Sequence, residues 1–99
     1  MQITRDEIVT RIQDHAEELR LRFSVENLSL FGSASRGEVQ KESDIDVLVS
    51  FSGPATFRGY FGLKSYLESL LGYPVDLVSE KALRPELRPH IEKDIVRVA

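Results

Sequence analysis

Two aspartates, Asp44 and Asp46, stand two residues apart in a segment that alternates like a β-strand. Residues two apart on a strand point to the same face, so both carboxylates emerge together, about 6.6–7 Å apart along the backbone. Two carboxylates this close repel each other unless a positive charge lies between them. Oxygen ligands favour a hard cation such as Mg²⁺, and two such ions lie roughly 3.5–4 Å apart in two-metal sites. Because Asp46 interrupts an apolar strand, where an unpaired charge is costly, we favour a metal site over a solvated turn.

A Gly-Ser pair, Gly32-Ser33, directly follows a short alternating segment, where the chain must turn. Glycine lets the backbone approach a ligand closely, and a serine hydroxyl and the following amide groups can bind phosphate oxygens. Arg36 follows within one turn and can add a charge-assisted phosphate contact. A Gly-Ser pair is also common as a plain turn, so this motif carries weight only together with the aspartates.

A third carboxylate, Asp76, lies between Val75 and Leu77, whose side chains point away from it. If its strand neighbours the strand of Asp44 and Asp46, the three carboxylates form one acidic cluster. Asp76 can then hold an ion beside an attacking hydroxyl and help to deprotonate it. Taken alone, Asp76 is equally well explained as an exposed residue of an edge strand.

Length and composition exclude several classes of protein function. A chain of 99 residues fits one domain, 1–99, and its hydrophobic fraction of 41% is typical of a soluble protein. Its 13 basic and 16 acidic residues give a net charge of −3, which argues against a dedicated nucleic-acid-binding protein. The absence of cysteine excludes disulfides and thiolate zinc sites. No apolar run reaches the ~20 residues of a membrane span, and no signal peptide is evident, so we expect a cytoplasmic protein.

The elements that must position these residues alternate along the chain. Hydrophobic periodicity predicts helices over 5–23 and 57–71, and residue alternation predicts strands. This order predicts the α/β (α+β) class, with a small mixed β-sheet flanked by helices. The predicted strands are 28–31, 44–51 and 75–78.

Two further expectations concern the tail and the aromatic residues. A last short helix is expected over 86–94, and 95–98 either extends it or adds an edge strand. The aromatic side chains on and just after the second long helix are expected to pack in the core rather than to stack on bases. They are Phe57, Tyr60, Phe61, Tyr66 and Tyr73.

The motifs gain meaning from their spacing, because ten residues, 34–43, separate Ser33 from Asp44. The run from Gly32 to Gly37, followed by Ser43 to Val49, closely resembles the minimal nucleotidyltransferases of the DNA polymerase β superfamily. The resemblance continues through 70–78 and the tail, and covers roughly 25–98. It implies the polymerase β-like nucleotidyltransferase fold.

The resemblance also implies a role for each matching residue. Asp44 and Asp46 would bind both Mg²⁺ ions, and Asp76 would be the third metal ligand, near the acceptor hydroxyl. All three would be catalytic. The β- and γ-phosphates of ATP would be held by Gly32 and Ser33, with support from Arg36.

Stand-alone relatives of this length are paired with an all-helical HEPN ribonuclease toxin and act as its antitoxin. The resemblance therefore implies a protein adenylyltransferase that moves AMP from ATP to a tyrosine hydroxyl of a cognate HEPN toxin. The two would form a hetero-oligomer in a type VII-like toxin–antitoxin system. Two alternatives stay open at this point: an antitoxin that acts by binding alone, and a nucleotidyltransferase that acts on a small molecule or on RNA.

Overall fold

The computed structural model describes residues 3–32, 44–54, 56–86, 88–89 and 95–99. Within these ranges, three helices pack against a four-stranded mixed sheet, which confirms the predicted fold class. No helix in them is long and apolar enough to cross a membrane. In chain order the elements are α1 Arg5–Asp14, α2 Ala16–Phe23, β1 Val25–Phe31, β2 Ile45–Phe51, α3 Phe57–Leu71, β3 Val75–Ser79, a 3₁₀ turn Glu80–Ala82 and β4 Val96–Arg97.

The sheet has the strand order β3-β2-β1-β4. β2 pairs antiparallel with β1 and parallel with β3, and β4 pairs antiparallel with β1 at the other edge. α3 is the crossover that a parallel β2–β3 pair requires. All three predicted strands are confirmed. β1 begins at Val25, earlier than predicted, and the segment 95–98 contributes the edge strand β4 rather than more helix.

One face of the sheet and the inner faces of the helices form an apolar core. On β2 the alternate residues Ile45, Val47 and Val49 are fully buried, as the alternation predicts. Burial of each such side chain contributes about 1.5–3 kcal/mol, so this face holds the sheet against the helices. The helical side chains buried in the same cluster are Ile8, Ile12, Leu19, Leu63, Leu67 and Leu71.

The predicted helix over 5–23 is interrupted at His15, where the backbone leaves helical geometry (φ −115°, ψ 12°). The His15 ring Nδ1 lies 2.8 Å from the Arg11 carbonyl oxygen, which is the acceptor that the backbone amide of His15 would use in a regular helix. That amide instead donates to the Ile12 carbonyl at 3.0 Å. The local side-chain hydrogen bond therefore accounts for the interruption of the helix between α1 and α2.

α3 has the bounds that the sequence predicts, and both its ends are capped. The Thr56 side chain accepts a hydrogen bond from the Gly59 amide at 3.0 Å, and Gly72 ends the helix with a φ of 77°. Gly62 allows close packing against α2, because a Cβ there would lie 3.2 Å from the Phe23 ring. A glycine that weakens the isolated helix thus serves the packing of two helices.

The outer edge of β3 is covered by side chains from α3. The Ile45 amide donates to the Pro74 carbonyl at 2.9 Å. In a parallel pair, alternate residues of β3 then bond to β2, and the residues between them direct their backbone amide and carbonyl groups toward the outer edge of the sheet. Two of these outward groups have partners on α3. The Val75 amide donates to Glu68 Oε2 at 2.9 Å, and the Tyr60 hydroxyl donates to the Leu77 carbonyl.

The expectation that all five aromatic residues pack in the core is wrong for two of them. Tyr60, Tyr66 and Tyr73 are partly buried against the core, but Phe57 and Phe61 are 83% and 49% exposed. Leucines at 63, 67 and 71 occupy the buried stripe of α3, and positions 57 and 61 fall outside that stripe. The helix predicted over 86–94 lies mostly outside the described residues.

Candidate active site

Asp46 and Asp76 lie directly opposite each other on the parallel strands β2 and β3. Paired residues of adjacent strands are about 4.8 Å apart and point to the same face, so the two carboxylates meet. Val47 and Leu77, the next pair, turn to the apolar core on the other face. The sheet therefore fulfils the condition that the sequence left open, namely that Asp76 stands beside the Asp44–Asp46 strand.

Gly32 places the end of β1 against the same carboxylate. Its φ is 65°, in the left-handed region that favours glycine. A Cβ at this position would overlap Asp46 Oδ2 and lie 3.3 Å from Asp46 Cγ. The turn that the sequence assigns to phosphate binding thus starts in van der Waals contact with the acidic pair.

The electrostatic state of Asp46 reflects this crowding. Desolvation by burial raises its pKa above the ordinary value of 3.8, and repulsion from the Asp76 and Asp44 carboxylates raises it further. A hydrogen bond with Asp76 acts in the same direction, because it favours the protonated form. Three negative charges therefore act on one position of the sheet.

Asp44 stands at the entrance to β2 and is exposed. It affects Asp46 through charge rather than through contact. In the part of the chain that the structure describes, no three carboxylate or histidine side chains are arranged to hold a metal ion together. The acidic pair is therefore formed by Asp46 and Asp76, and Asp44 lies beyond it. Ser33 and Arg36 fall outside the described residues, so their predicted roles stay predictions.

The arrangement fits divalent cations by its chemistry. Asp46 and Asp76 present oxygen ligands alone, which suit Mg²⁺, and their mutual repulsion is the unfavourable interaction that a cation between them would remove. The described geometry brings together two of the three predicted ligands, Asp46 and Asp76, and the role of Asp44 as a metal ligand stays a prediction.

A polar cavity of about 280 Å³ opens on the same face of the sheet. Ser29 pairs with Leu48 on one side and with Arg97 on the other, two residues along the strands from the row of Asp46 and therefore on the same face. Ser29 is a buried polar residue between Leu28 and Leu30, which face the core. The sequence reasoning missed this cavity, although the alternation of polar and apolar residues in β1 was the signal. The other residues that line it include Asn27, Ser50, Leu83 and Arg88.

Comparisons with known proteins indicate the family to which the chain belongs. Residues 12–98 match the nucleotidyltransferase domain family. The chain is similar to the protein adenylyltransferase MntA of Thermococcus cleftensis, at 38% identity over 96 residues and 97% of each chain. A solved structure described as a minimal nucleotidyltransferase superposes with a TM-score of 0.80 at 34% identity, over 95% of each chain.

The fold recurs at lower identity in a complex of the tri-AMPylated HEPN toxin of Shewanella oneidensis with an MNT antitoxin. That match has a TM-score of 0.65 at 20% identity, and covers 92% of this chain and 71% of the other. The family match spans most of the chain, and both the acidic pair and the glycine turn lie within it. The chain therefore belongs to the nucleotidyltransferase domain family, as a minimal nucleotidyltransferase.

Proposed function

We propose that this protein is a Mg²⁺-dependent adenylyltransferase that transfers AMP from ATP to a tyrosine hydroxyl of a cognate HEPN-family toxin, and thereby acts as its antitoxin. The observation that carries the proposal is the Asp46–Asp76 pair, which faces the Gly32 turn at the end of β1. The similarity to a named protein adenylyltransferase over nearly the whole chain supports a protein as the acceptor.

Each side chain has a defined task in this reaction. The acceptor oxygen attacks the α-phosphorus of ATP, the bond from that phosphorus to the oxygen bridging to the β-phosphorus breaks, and pyrophosphate leaves. Asp44 and Asp46 would hold two Mg²⁺ ions, and Asp76 would be a further ligand and would receive the hydroxyl proton. The chemistry that Mg²⁺ would supply there is positive charge, which neutralises phosphates and lowers the pKa of a hydroxyl group.

The glycine turn supplies the donor half of the site. Gly32 brings the backbone against Asp46. Binding of the triphosphate by Ser33 and the amides that follow it in the sequence is part of the proposal and rests on the Gly-Ser motif. Arg36 adds positive charge to the leaving pyrophosphate. Much of the catalytic effect is positioning and charge neutralisation, which a small domain can provide without a covalent intermediate.

The test is transfer to the purified toxin. The chain, the cognate HEPN-family toxin, Mg²⁺ and ATP labelled at the α- or γ-phosphate are mixed. We expect α-label on the toxin, no γ-label, and a toxin mass increased by whole AMP groups. Asp46→Asn and Asp76→Asn should lower the rate by more than about a hundredfold, since each removes a metal ligand. Asp6→Asn, which changes a carboxylate with a side chain 93% exposed on α1, is the matched control. An unchanged toxin mass would contradict the proposal.

The same materials separate modification from simple binding. Neutralisation of the toxin that survives Asp44→Ala would indicate an antitoxin that acts by contact alone. Label that appears on RNA or on a metabolite, and not on the toxin, would indicate a different acceptor for the same chemistry.

A further inference from the structure

An open apolar groove lies between the first turns of α3 and the end of β3. Its walls are Phe57, Tyr60 and Phe61 on the helix, and Leu77, Val78 and Ala82 on the strand and the 3₁₀ turn, around a volume of about 440 Å³. The Phe57 and Phe61 rings pack against each other with centroids 5.3 Å apart, yet they are 83% and 49% exposed. A contiguous exposed apolar surface of this kind typically marks an interaction site.

Three cations lie next to, or one helical turn from, residues of this α3–β3 groove in the sequence. Arg58 follows Phe57, Lys64 lies one helical turn after Phe61, and Lys81 precedes Ala82. Within the ranges described, no ion pair involves any of these three cations. The acid nearest in sequence, Glu80, is paired with Arg88 at 3.6 Å. Although the net charge of the chain is −3, the charged residues that follow Phe57 and precede Ala82 in the sequence are therefore cations without an ion pair in the described part of the chain.

The start of α3 also departs from the pattern of the other two helices. α1 and α2 each carry two acidic residues in the first turn, where they stabilise the helix dipole, whereas α3 carries none and has Arg58 there. Together with the exposed Phe57, this choice is unfavourable for the isolated domain. Residues that oppose local stability in this way are expected where a surface has a function.

The groove adjoins the acidic pair through a single strand. Asp76 and Val78 are two residues apart on β3, which corresponds to about 6.6–7 Å. A macromolecule seated in the groove would therefore have neighbouring residues within reach of the Asp46–Asp76 pair. An acceptor protein needs such an anchor, because the reacting oxygen must be held close to the α-phosphorus.

We infer that the α3–β3 groove is the docking surface for the acceptor protein. The occupant is a segment of that protein with apolar side chains flanked by carboxylates, which would match the aromatic walls of the groove and the cations next to them in the sequence. This inference rests on the proposed function, because it takes the AMP acceptor to be a protein. It adds the place at which that protein binds and the chemistry that selects it.

The test is a double variant, Phe57→Ala with Phe61→Ala, in the full chain. With the cognate HEPN-family toxin as acceptor, the KM for the toxin should rise at least about tenfold, as expected for loss of aromatic anchors, while kcat is retained. Binding of ATP, measured by calorimetry, should not change. Arg58→Ala should raise the KM less and should reduce its dependence on salt. Leu21→Ala, which removes an apolar side chain 72% exposed on α2 and outside the groove, is the matched control.

Failure of the docking inference can be distinguished from failure of the proposed function. If the unmodified chain transfers AMP and the double variant has the same KM, the docking surface is wrong and the proposed function stands. If the unmodified chain transfers no AMP, the Kd of the chain–toxin complex is measured instead, and weaker binding by the double variant still supports the groove. A change confined to self-association or to RNA binding would overturn the inference. A retained melting temperature and circular dichroism spectrum show that the variants fold.

Discussion

At the level of single residues, Gly32 and Asp46 form one contact on which the proposed donor site depends. Alanine at position 32 would take a left-handed conformation, at about 1–2 kcal/mol, and its Cβ would displace the Asp46 carboxylate. We expect Gly32→Ala to lower the free energy of unfolding. We also expect it to lower the rate of AMP transfer by at least about tenfold. Urea denaturation and a transfer assay measure the two effects.

Gly72→Ala is the control for this substitution. Gly72 has a similar φ, 77°, at the end of α3, but a Cβ there meets no atom within 4 Å. It should therefore lose stability by a similar amount and keep its transfer rate. Equal loss of transfer in both variants would mean that backbone strain alone, and not the contact with Asp46, limits the reaction.

Asp46 gives a pH dependence whose sign follows from its raised pKa. The folded state raises the pKa of Asp46 above 3.8. Asp46 therefore contributes fully to the free energy of unfolding below pH 3.8, and this contribution is lost as the pH rises through the pKa of the folded state. Without divalent ions, Asp46→Asn should thus be more stable than the unmodified chain near neutral pH, and the difference should close near about pH 4. Urea denaturation at both pH values measures it.

Magnesium should make the unmodified chain more stable than Asp46→Asn near neutral pH. Bound ions would stabilise the unmodified folded chain by mass action, and Asp46→Asn would respond weakly or not at all. A difference in stability that is independent of pH and of Mg²⁺ would show that repulsion among the carboxylates does not govern Asp46.

Single residues also show how far the sequence leads. The placement of Asp46 on the polar face of β2 follows from alternation alone, and the structure agrees. The exposure of Phe57 does not follow, because a hydrophobic residue at the start of a helix is buried or exposed according to the packing of other elements. Its local sequence contains no signal for the groove.

At the level of elements, α3 depends on its N-cap more than α1 does. α1 has Asp6 and Glu7 in its first turn, whereas the first turn of α3 has Arg58 and Gly59 and relies on Thr56. Thr56→Ala should cost about 1 kcal/mol of unfolding free energy, and Thr56→Ser, which keeps the hydroxyl, should cost much less. Equal losses in urea denaturation would assign the effect to the Thr56 methyl group instead of the cap.

The elements themselves were largely predictable, but their contacts were predictable only in part. The periodicity of 57–71 predicts α3 with its true bounds, and Gly72 followed by Pro74 marks its end. The sequence could not predict that β3 pairs with β2, because strand order depends on long-range packing. The break at His15 was missed, because it arises from one side-chain hydrogen bond that leaves the hydrophobic pattern intact.

At the level of the whole molecule, the two faces of the sheet have separate tasks. One face joins the helices in the apolar core, and the other carries the acidic pair and the polar cavity. The α3–β3 groove lies at the sheet edge next to that second face. If the proposed function is correct, we expect the acceptor protein to complete the site.

The covered edge of β3 has a consequence for the behaviour of the protein at high concentration. An edge strand with unpaired backbone groups is a template onto which a second molecule can add a strand, and this process leads to aggregation. Glu68 and Tyr60 occupy two of those groups and prevent such growth from the β3 side. The helix that we assign to partner recognition therefore also protects this edge, so loss of the Tyr60 hydroxyl should favour aggregation at high protein concentration.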